Sequence, residues 1–371
     1  MTTLGRPRVR DWGLSTGVGR PGPRNAITDV SGVQVGHTTL ISGKGPLHPG
    51  EGPVRTGVTI ILPHGGDVFR HKVRAAVHTI NGYGKVCGFE QVRELGLLEA
   101  PIALTNTLNV PLVADALIQH AVHRNPQIGV STGSVNVVVG ETNDGYLNDL
   151  QGRHVRVAHV WRALETASSD GVPEGAVGAG TGTSCFGWKG GIGTASRELR
   201  GEGGGFTLGA LVQTNFGRAD QLTISGVPIG RSLQPPAADE PEGVDDGSVM
   251  IVLATDAPLS SRQLRRLCVR AAVGLARVGS AHDHGSGDFV IAFSTHAFID
   301  HEPRRLVASR TVLADEGRGM GRLFSAVAES VEEAVLNSLW RAETVVGRDG
   351  HTRYALPLED VAELIDGWDL R

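Results

Sequence analysis

The stretch GVDDGSVMIVLATDAPL, residues 243–259, joins an acidic segment to one of the most apolar strand-like runs in the chain. The pair Gly247 and Ser248 stands at that junction. The simplest interpretation is a loop that ends where a buried strand begins. A second interpretation is a chain that is cut between Gly247 and Ser248, so that Ser248 becomes a new N-terminus and a nucleophile.

The residues at this junction are suited to such a cut. Gly247 has no side chain to block a serine hydroxyl from its carbonyl carbon, and it tolerates backbone geometry that strains the bond. Attack by Ser248 would move the acyl group from nitrogen to oxygen, and hydrolysis of the ester would free the serine amine. A terminal α-amine has a pKa of about 7.7 to 8.0, so its neutral fraction can accept a proton from the hydroxyl. The cut would therefore create both a nucleophile and its base.

The segment before the junction, SLQPPAADEPEGVDDG (232–247), holds three prolines and five acidic residues and has little to bury. This composition predicts an exposed and mobile segment. An ordinary linker between domains has the same composition, and the length of 371 residues does not by itself fix the number of domains.

Short β-branched runs bounded by glycine or polar turns predict strands, and patterns of helical period lie between and after them. The clearest helix is predicted within residues 260–280, where Ser260 and Gln263 have the form of a capping box. A second long helix is predicted over 320–346. Strands separated by long helices favour a layered α/β or α+β enzyme. The predicted strands are 57–65, 134–142, 206–215, 250–259 and 288–295.

Composition and charge exclude several classes of protein. A net charge of −4 and a pI near 6.4 argue against nucleic acid or an anionic membrane surface as partners. The sequence has neither a signal peptide nor an apolar run of about 18 residues, so a cytoplasmic protein is expected. The three cysteines are isolated and odd in number, which indicates reduced thiols, mostly buried.

Glycine is abundant, with 52 residues, and many of them lie in GAVGAGTGTSCFGWKGGIGTASR (175–197). Glycines in such a segment allow positive φ angles and close approach to other backbone or to a substrate. A phosphate-binding loop is disfavoured, because the segment lacks the G-x-x-x-x-G-K-[ST] pattern.

Two alternatives to the serine nucleophile remain open. His282 and His284 flank Asp283 in AHDHGSGD, and this run could belong to a metal-dependent hydrolase, although no HExxH or comparable spacing accompanies it. A non-catalytic binding protein would keep the bond between Gly247 and Ser248 intact.

The chain resembles the DmpA-type self-processing peptidases, also described as L-aminopeptidase/D-esterases and β-peptidyl aminopeptidases. The matching stretches follow in order from residue 24 to 295 and cover essentially the whole chain. They are RNAITDVSGVQVGHTTL, TGVTIILPHG, LTNTLNV, VVVGETNDGYLND, GAGTGTSCFGWKGGIGTASR, LVQTNFGR, DDGSVMIVLATDAPLSSRQLRRL and HGSGDFVIAFST.

The resemblance implies roles for individual residues. Ser248 matches the family's nucleophile, and Gly247 matches the residue before the cut. Ser286 and Asp288 match the serine and acid that orient the nucleophile and its amine, where some members have glutamate instead of aspartate. Asn215 matches the side chain that donates a hydrogen bond to the oxyanion.

Two further residues complete the site that the resemblance implies. The backbone N–H of Asn143 matches the second oxyanion donor. Glu141 matches an acid near the free amine of the substrate, and a carboxylate in a closed pocket pairs well with an ammonium group.

The resemblance also implies the architecture. The expected fold is α+β, a four-layer αββα sandwich of the N-terminal-nucleophile type, with residues 1–371 forming one catalytic domain. The expected cut gives a large α subunit, 1–247, and a small β subunit, 248–371. The implied substrate is a small peptide, amide or ester with a free amino group; no cofactor is implied. A homo-oligomer of processed αβ heterodimers is expected.

Overall fold

The computed structural model describes residues 5–200, 205–236, 246–303 and 305–368. Within the segment predicted to be exposed and mobile, 232–247, residues 237–245 lie outside the described residues. That prediction therefore stays a prediction.

The described chain contains runs of strands with α-helices between some of them. Its strands are β1 Gln34–Ser42, β2 Val54–Leu62, β3 His71–Gly82, β4 Leu97–Leu98, β5 Ile102–Asn106, β6 Val138–Thr142, β7 Ser184–Cys185, β8 Trp188–Lys189, β9 Ile192–Leu199, β10 Phe206–Asn215, β11 Asp246–Thr255, β12 Gly285–Asp300, β13 Val345–Val346 and β14 Thr352–Arg353. Its helices are α1 Phe89–Leu95, α2 Val110–Arg124, α3 Val157–Glu165, α4 Ser261–Arg277, α5 Arg318–Arg341 and α6 Leu358–Trp368.

Two sheets form the centre of the fold. The smaller has the order β1-β2-β5-β6, and the larger has the order β4-β3-β12-β11-β10-β9. Their facing surfaces share one apolar core, in which Ile61 and Leu104 of the smaller sheet meet Leu211, Val252 and Ile291 of the larger. Helices α2 and α3 cover the other face of the smaller sheet, and α4 and α5 cover the other face of the larger. The layers are therefore αββα, and the predicted fold is confirmed.

The larger sheet mixes strands from both sides of Gly247. Strands β11 and β12 lie side by side and parallel. They are flanked by β10 and β3, both antiparallel to them and both from the chain before Gly247. The two parts of the chain thus share one sheet and could not form it separately.

Several predicted elements agree with the structure. Strand β10 spans the predicted residues 206–215, and the side chains of Ser260 and Gln263 cap α4 reciprocally. The helix expected to reach residue 346 ends at Arg341. The strand expected from residue 250 begins at Asp246, because neighbouring strands pair with these earlier residues. Strand β12 pairs with β11 from Asp246 onward, and β10 pairs with it from Ser248 onward. The bond between Gly247 and Ser248 therefore lies within a central strand.

Among the described residues, no helix is both long and apolar enough to cross a membrane. All three cysteines are free thiols. Cys185 and Cys268 are buried and Cys87 is half-buried, which agrees with the expected reduced thiols.

A buried ion network joins the N-terminal part of the chain to α5. The Arg197 guanidinium, in β9, pairs with Glu329 at 2.9 Å and with Glu333 at 2.7 Å, and Arg10 reaches Glu333 at 2.6 Å. Burial disfavours the charged Glu333 carboxylate, but the hydrogen bond from Arg10 and the charges of Arg197 and Arg10 outweigh it and lower its pKa to about 2. Breaking such a network by removing one partner leaves an uncompensated buried charge.

We expect Glu333→Gln to lower the free energy of unfolding by about 3 kcal/mol at neutral pH, measured by urea denaturation. Because the pKa of Glu333 in the folded state lies below its ordinary value of 4.5, its contribution is complete above pH 4.5 and is lost as the pH falls toward 2. The variant should therefore lose less stability than the wild type over that range. The control is Glu90→Gln, which breaks an exposed ion pair with Arg93 and should change little. If the free energy of unfolding changed equally with pH in Glu333→Gln and in the wild type, Glu333 would not be the carboxylate with the lowered pKa.

Candidate active site

Ser248 is nearly buried, with 4% of its surface exposed, and its side chain faces the smaller sheet. Side chains alternate between the two faces of a strand, and Met250 and Val252 pack between the sheets, so Ser248 shares their direction. In that space the backbone N–H of Asn143, just after β6, donates to Ser248 Oγ at 3.4 Å. The hydroxyl thus meets a donor supplied by the opposite sheet.

Asn215 lies beside Ser248. The two residues are paired across β10 and β11, so their side chains share one face of the sheet. The Asn215 Oδ1 accepts a hydrogen bond from the Ser184 N–H at 3.0 Å. This bond uses the amide oxygen and leaves the NH2 group as the donating end of the side chain.

The loop that carries Asn143 is anchored by its next residue. Asp144 is 1% exposed and accepts hydrogen bonds from Thr56 at 2.5 Å and from Asn148 at 3.0 Å. Burial raises its pKa to about 7, although the bonds from Thr56, Asn148 and Asn106 oppose that rise. Sequence reasoning missed Asp144, because an acid next to a glycine in a loop is normally solvated.

Ser286 and Asp288 approach the same bond from the other face of the sheet. Gly247 pairs with Ser286 across β11 and β12, and Val249, which points the same way as Gly247, packs in the core beneath the helices. The Ser286 Oγ lies 3.3 Å from the position that a Cβ on Gly247 would occupy. It donates to Asp288 Oδ1 at 2.5 Å, and both residues are buried. Ser286 therefore lies beside Gly247 on the helical side of the larger sheet, whereas the Ser248 hydroxyl lies on the side of the smaller sheet.

Glu141, in β6, is buried with 3% exposure. One carboxylate oxygen accepts the N–H of Lys85 at 2.9 Å, and the other accepts the hydroxyl of Thr107. Burial raises its pKa, and these contacts oppose the rise. Glu141 lies two positions before the donor Asn143, so the carboxylate belongs to the same edge of the smaller sheet.

The contact made by His282 was not foreseen. Its Nδ1 lies 2.8 Å from Asp288 Oδ2, whereas His284 is exposed and its ring lies 6.4 Å from that of Tyr83. The two histidines considered together for a metal thus have different surroundings. In the described parts of the chain, no group of three or more His, Cys, Asp or Glu side chains could hold a metal ion.

A buried lysine organises the glycine-rich segment. Lys189 is fully buried, and its Nζ donates to the carbonyl oxygens of Gly180, Thr183 and Gly190 at 2.9, 2.8 and 2.7 Å. Burial lowers its pKa to about 7. Glycine is required at Gly191, where φ is +145° and a Cβ would lie 1.9 Å from a carbonyl oxygen. This segment includes Ser184, whose N–H holds Asn215.

The described site thus places a buried serine near the start of a central strand, beside hydrogen-bond donors, in an αββα sandwich, an arrangement suited to a hydrolase. Solved structures agree with this class. The L-aminopeptidase D-Ala-esterase/amidase from Ochrobactrum anthropi, described as a variant of the Ntn hydrolase fold, is 38% identical, with a TM-score of 0.90 over 98% of this chain and 99% of that one. The PH0078 protein from Pyrococcus horikoshii OT3 is 49% identical, with a TM-score of 0.92 over 98% and 99%.

Sequence comparison identifies the family. The sequence profile of peptidase family S58 matches residues 25–353. A beta-peptidyl aminopeptidase, BapA, from Sphingosinicella microcystinivorans is 40% identical over 97% of this chain and 92% of its own length. The chain belongs to peptidase family S58, and the predicted family and enzyme class are confirmed.

We expect Lys189→Met to lower the free energy of unfolding by about 3 kcal/mol or more, because three buried carbonyl oxygens lose their donor. Urea denaturation would measure this loss. The control is Lys44→Met, at an exposed lysine of the same chain, which should have wild-type stability. If both variants were equally stable, Lys189 would not be the residue that holds this segment.

Proposed function

We propose that the protein is a self-processing serine aminopeptidase or amidase, activated by cleavage between Gly247 and Ser248. One observation carries the proposal: the bond is flanked by the Asn143 and Asn215 donors on one face of the sheet and by the Ser286 and Asp288 pair on the other. A buried serine in an ordinary strand has no such surroundings.

In the proposed maturation, Ser248 Oγ attacks the carbonyl carbon of Gly247. The C–N bond breaks as the acyl group moves to oxygen, and the nitrogen gains the proton lost by the hydroxyl. Water then hydrolyses the ester, which leaves a carboxylate on Gly247 and a free α-amine on Ser248. The α-amine is neutral in part at physiological pH, so it can serve as a base.

In the proposed turnover, the α-amine takes the proton from Ser248 Oγ as the oxygen attacks the substrate carbonyl. The amide of Asn215 and the N–H of Asn143 stabilise the negative oxygen, a contribution of about 100-fold to 1,000-fold in rate per donor. The leaving group departs with a proton, and water hydrolyses the acyl-enzyme. Ser286 and Asp288 are proposed to orient the amine, since Ser286 Oγ lies beside Gly247, the residue that precedes the Ser248 nitrogen. The chemistry uses protein groups and water.

We propose that Glu141 binds the free amino group of a peptide, amide or ester substrate. Its carboxylate is buried at the sheet edge that carries Asn143, and an ammonium group would compensate a charge that burial disfavours. Such a pair gives an aminopeptidase its preference for the first residue of the substrate.

We propose that residues 1–371 form one catalytic domain of two subunits, 1–247 and 248–371, and that several such heterodimers assemble. The shared larger sheet supports a single domain.

Leu306 and Val307, strongly exposed after β12, support an assembly that covers them. The free cysteines support a reducing compartment such as the cytoplasm.

Ser248→Ala should yield one intact chain without hydrolytic activity, because both the cut and the turnover need the hydroxyl. Intact mass and N-terminal sequencing under denaturing conditions would measure this, and the wild type should give two fragments, the second beginning Ser-Val-Met-Ile. The matched control is Ser294→Ala, at another buried serine of the larger sheet, which should still be cut. If Ser248→Ala were still cut at this bond, another residue would be the nucleophile.

Glu141→Gln should raise KM for aminoacyl amides by about 10-fold to 100-fold, as expected for loss of a hydrogen bond to a charged group. The KM for an N-acetylated amide, which has no ammonium group, should not rise comparably in this variant. Burial raises the pKa of Glu141, so the carboxylate becomes protonated at a higher pH than an ordinary carboxyl group. As the pH falls, the wild-type KM should therefore begin to rise at a pH above the ordinary carboxyl pKa. Glu165→Gln, at an exposed position, serves as the control. An unchanged KM in Glu141→Gln would exclude the carboxylate as the amine-binding group.

A further inference from the structure

The Asp288 carboxylate uses both of its oxygens. Oδ1 accepts from Ser286 at 2.5 Å, and Oδ2 faces His282 Nδ1 at 2.8 Å. A carboxylate only accepts hydrogen bonds, so Nδ1 carries the proton in this contact. Asp288 is 1% exposed, and a carboxylate buried to this degree needs a donor on each side. The proposed maturation and turnover use only the side toward Ser286.

His282 has an unusual backbone conformation for a residue with a side chain. Its φ is +57°, in the left-handed region, which glycine, asparagine and aspartate adopt more readily. The surrounding loop is held by Asn81, whose Nδ2 donates to the carbonyl oxygens of Asp283, His284 and Ser286 at 3.0, 3.0 and 2.6 Å. The left-handed backbone and these bonds fix the direction from which the imidazole meets Asp288.

The neighbours of His282 have other contacts. Asp283 lies 3.7 Å from Arg218, and His284 is exposed. The side chain of His282 is 21% exposed and that of Asp288 is 2% exposed. His282 thus lies between the carboxylate and solvent and excludes water from Oδ2.

We propose that His282 is a positioning residue for the reaction. It holds the Asp288 side chain so that Oδ1 accepts from Ser286, and through Ser286 it sets the orientation of the Ser248 α-amine. This inference rests on the proposed function, in which that amine is the base. It replaces the metal interpretation of His282 with a hydrogen-bonded chain from His282 through Asp288 to Ser286.

The test compares two substitutions of His282 with a matched control. His282→Gly removes the imidazole without backbone strain, because glycine accepts a positive φ. His282→Asn keeps a donor near the position of Nδ1 and also tolerates this conformation. His284→Gly removes the exposed neighbouring imidazole. The extent of cleavage is measured by intact mass, and kcat and KM for an aminoacyl amide are expressed per cut chain.

We expect kcat of His282→Gly to fall by about 10-fold or more, the usual effect of losing a residue that orients a reactive group, with KM unchanged. His282→Asn should recover most of kcat. Imidazole added to His282→Gly should also restore kcat, or the cut itself if that variant stays intact. His284→Gly should resemble the wild type with and without imidazole. Wild-type kcat in His282→Gly, or a loss that neither asparagine nor imidazole reverses, would overturn the proposal.

A second measurement separates this inference from the proposed function. A wild-type chain that is neither cut nor active would overturn the proposed function. The proton on Nδ1 can be observed in either case, because a strong hydrogen bond to a carboxylate moves its NMR signal far downfield. That signal should be present in wild type and in His284→Gly and absent in His282→Gly. Its absence from the wild type would overturn the contact on which the inference depends.

Discussion

The pairing of β11 with a strand on each side determines the geometry of the site. Strand β10 brings Asn215 level with Ser248, and β12 brings Ser286 level with Gly247. Because side chains alternate along a strand, these adjacent residues face different layers of the sandwich. The hydroxyl therefore faces the smaller sheet and its donor Asn143, while the serine and carboxylate pair faces the helical layer. A shift of one residue in either register would exchange the faces and separate the groups.

The supporting contacts lie in buried polar groups that link distant parts of the chain. Lys189 joins three carbonyl oxygens of the glycine-rich segment, and Asp144 ties the loop of Asn143 to Thr56. The network of Arg197 and Glu333 connects β9 to α5. Each group is buried and has hydrogen-bond partners, as buried polar groups require. Such contacts leave these segments few alternative arrangements, because a buried polar group that loses its partner costs free energy.

Local patterns in the sequence predicted elements well where the local signal was strong. The alternation in β10 and the capping box of α4 are local features, and both agree with the structure. Strands β1 and β3 were not among the predicted strands, because their polar residues, such as His37 and His78, obscure the alternation. The four-layer arrangement came from the family resemblance, since periodicity does not reveal which strands are neighbours.

The residues of the candidate site likewise divide into those that the sequence indicated and those that only the structure revealed. Ser248 was selected from the junction itself and then by resemblance. Asn215, Asn143, Ser286 and Asp288 were selected by resemblance alone, and the fold brings all five around one peptide bond. The contact between His282 and Asp288 spans six residues and depends on a left-handed backbone, which composition does not reveal. The role of Lys189 was not predicted, because a lysine is seldom fully buried.

Because the larger sheet interleaves strands from both sides of Gly247, folding before the proposed cleavage and unfolding after it are different processes. Under the proposed cleavage, β11 and β12 come to belong to one polypeptide, while β3 and β10 on either side of them belong to another. The folded state is then reached from a single chain, but unfolding releases two. Reassembly would depend on concentration and would require the middle of a sheet to be filled by a separate molecule. The stability of the mature protein would accordingly be kinetic: it would depend on the rate of unfolding rather than on a reversible folding equilibrium.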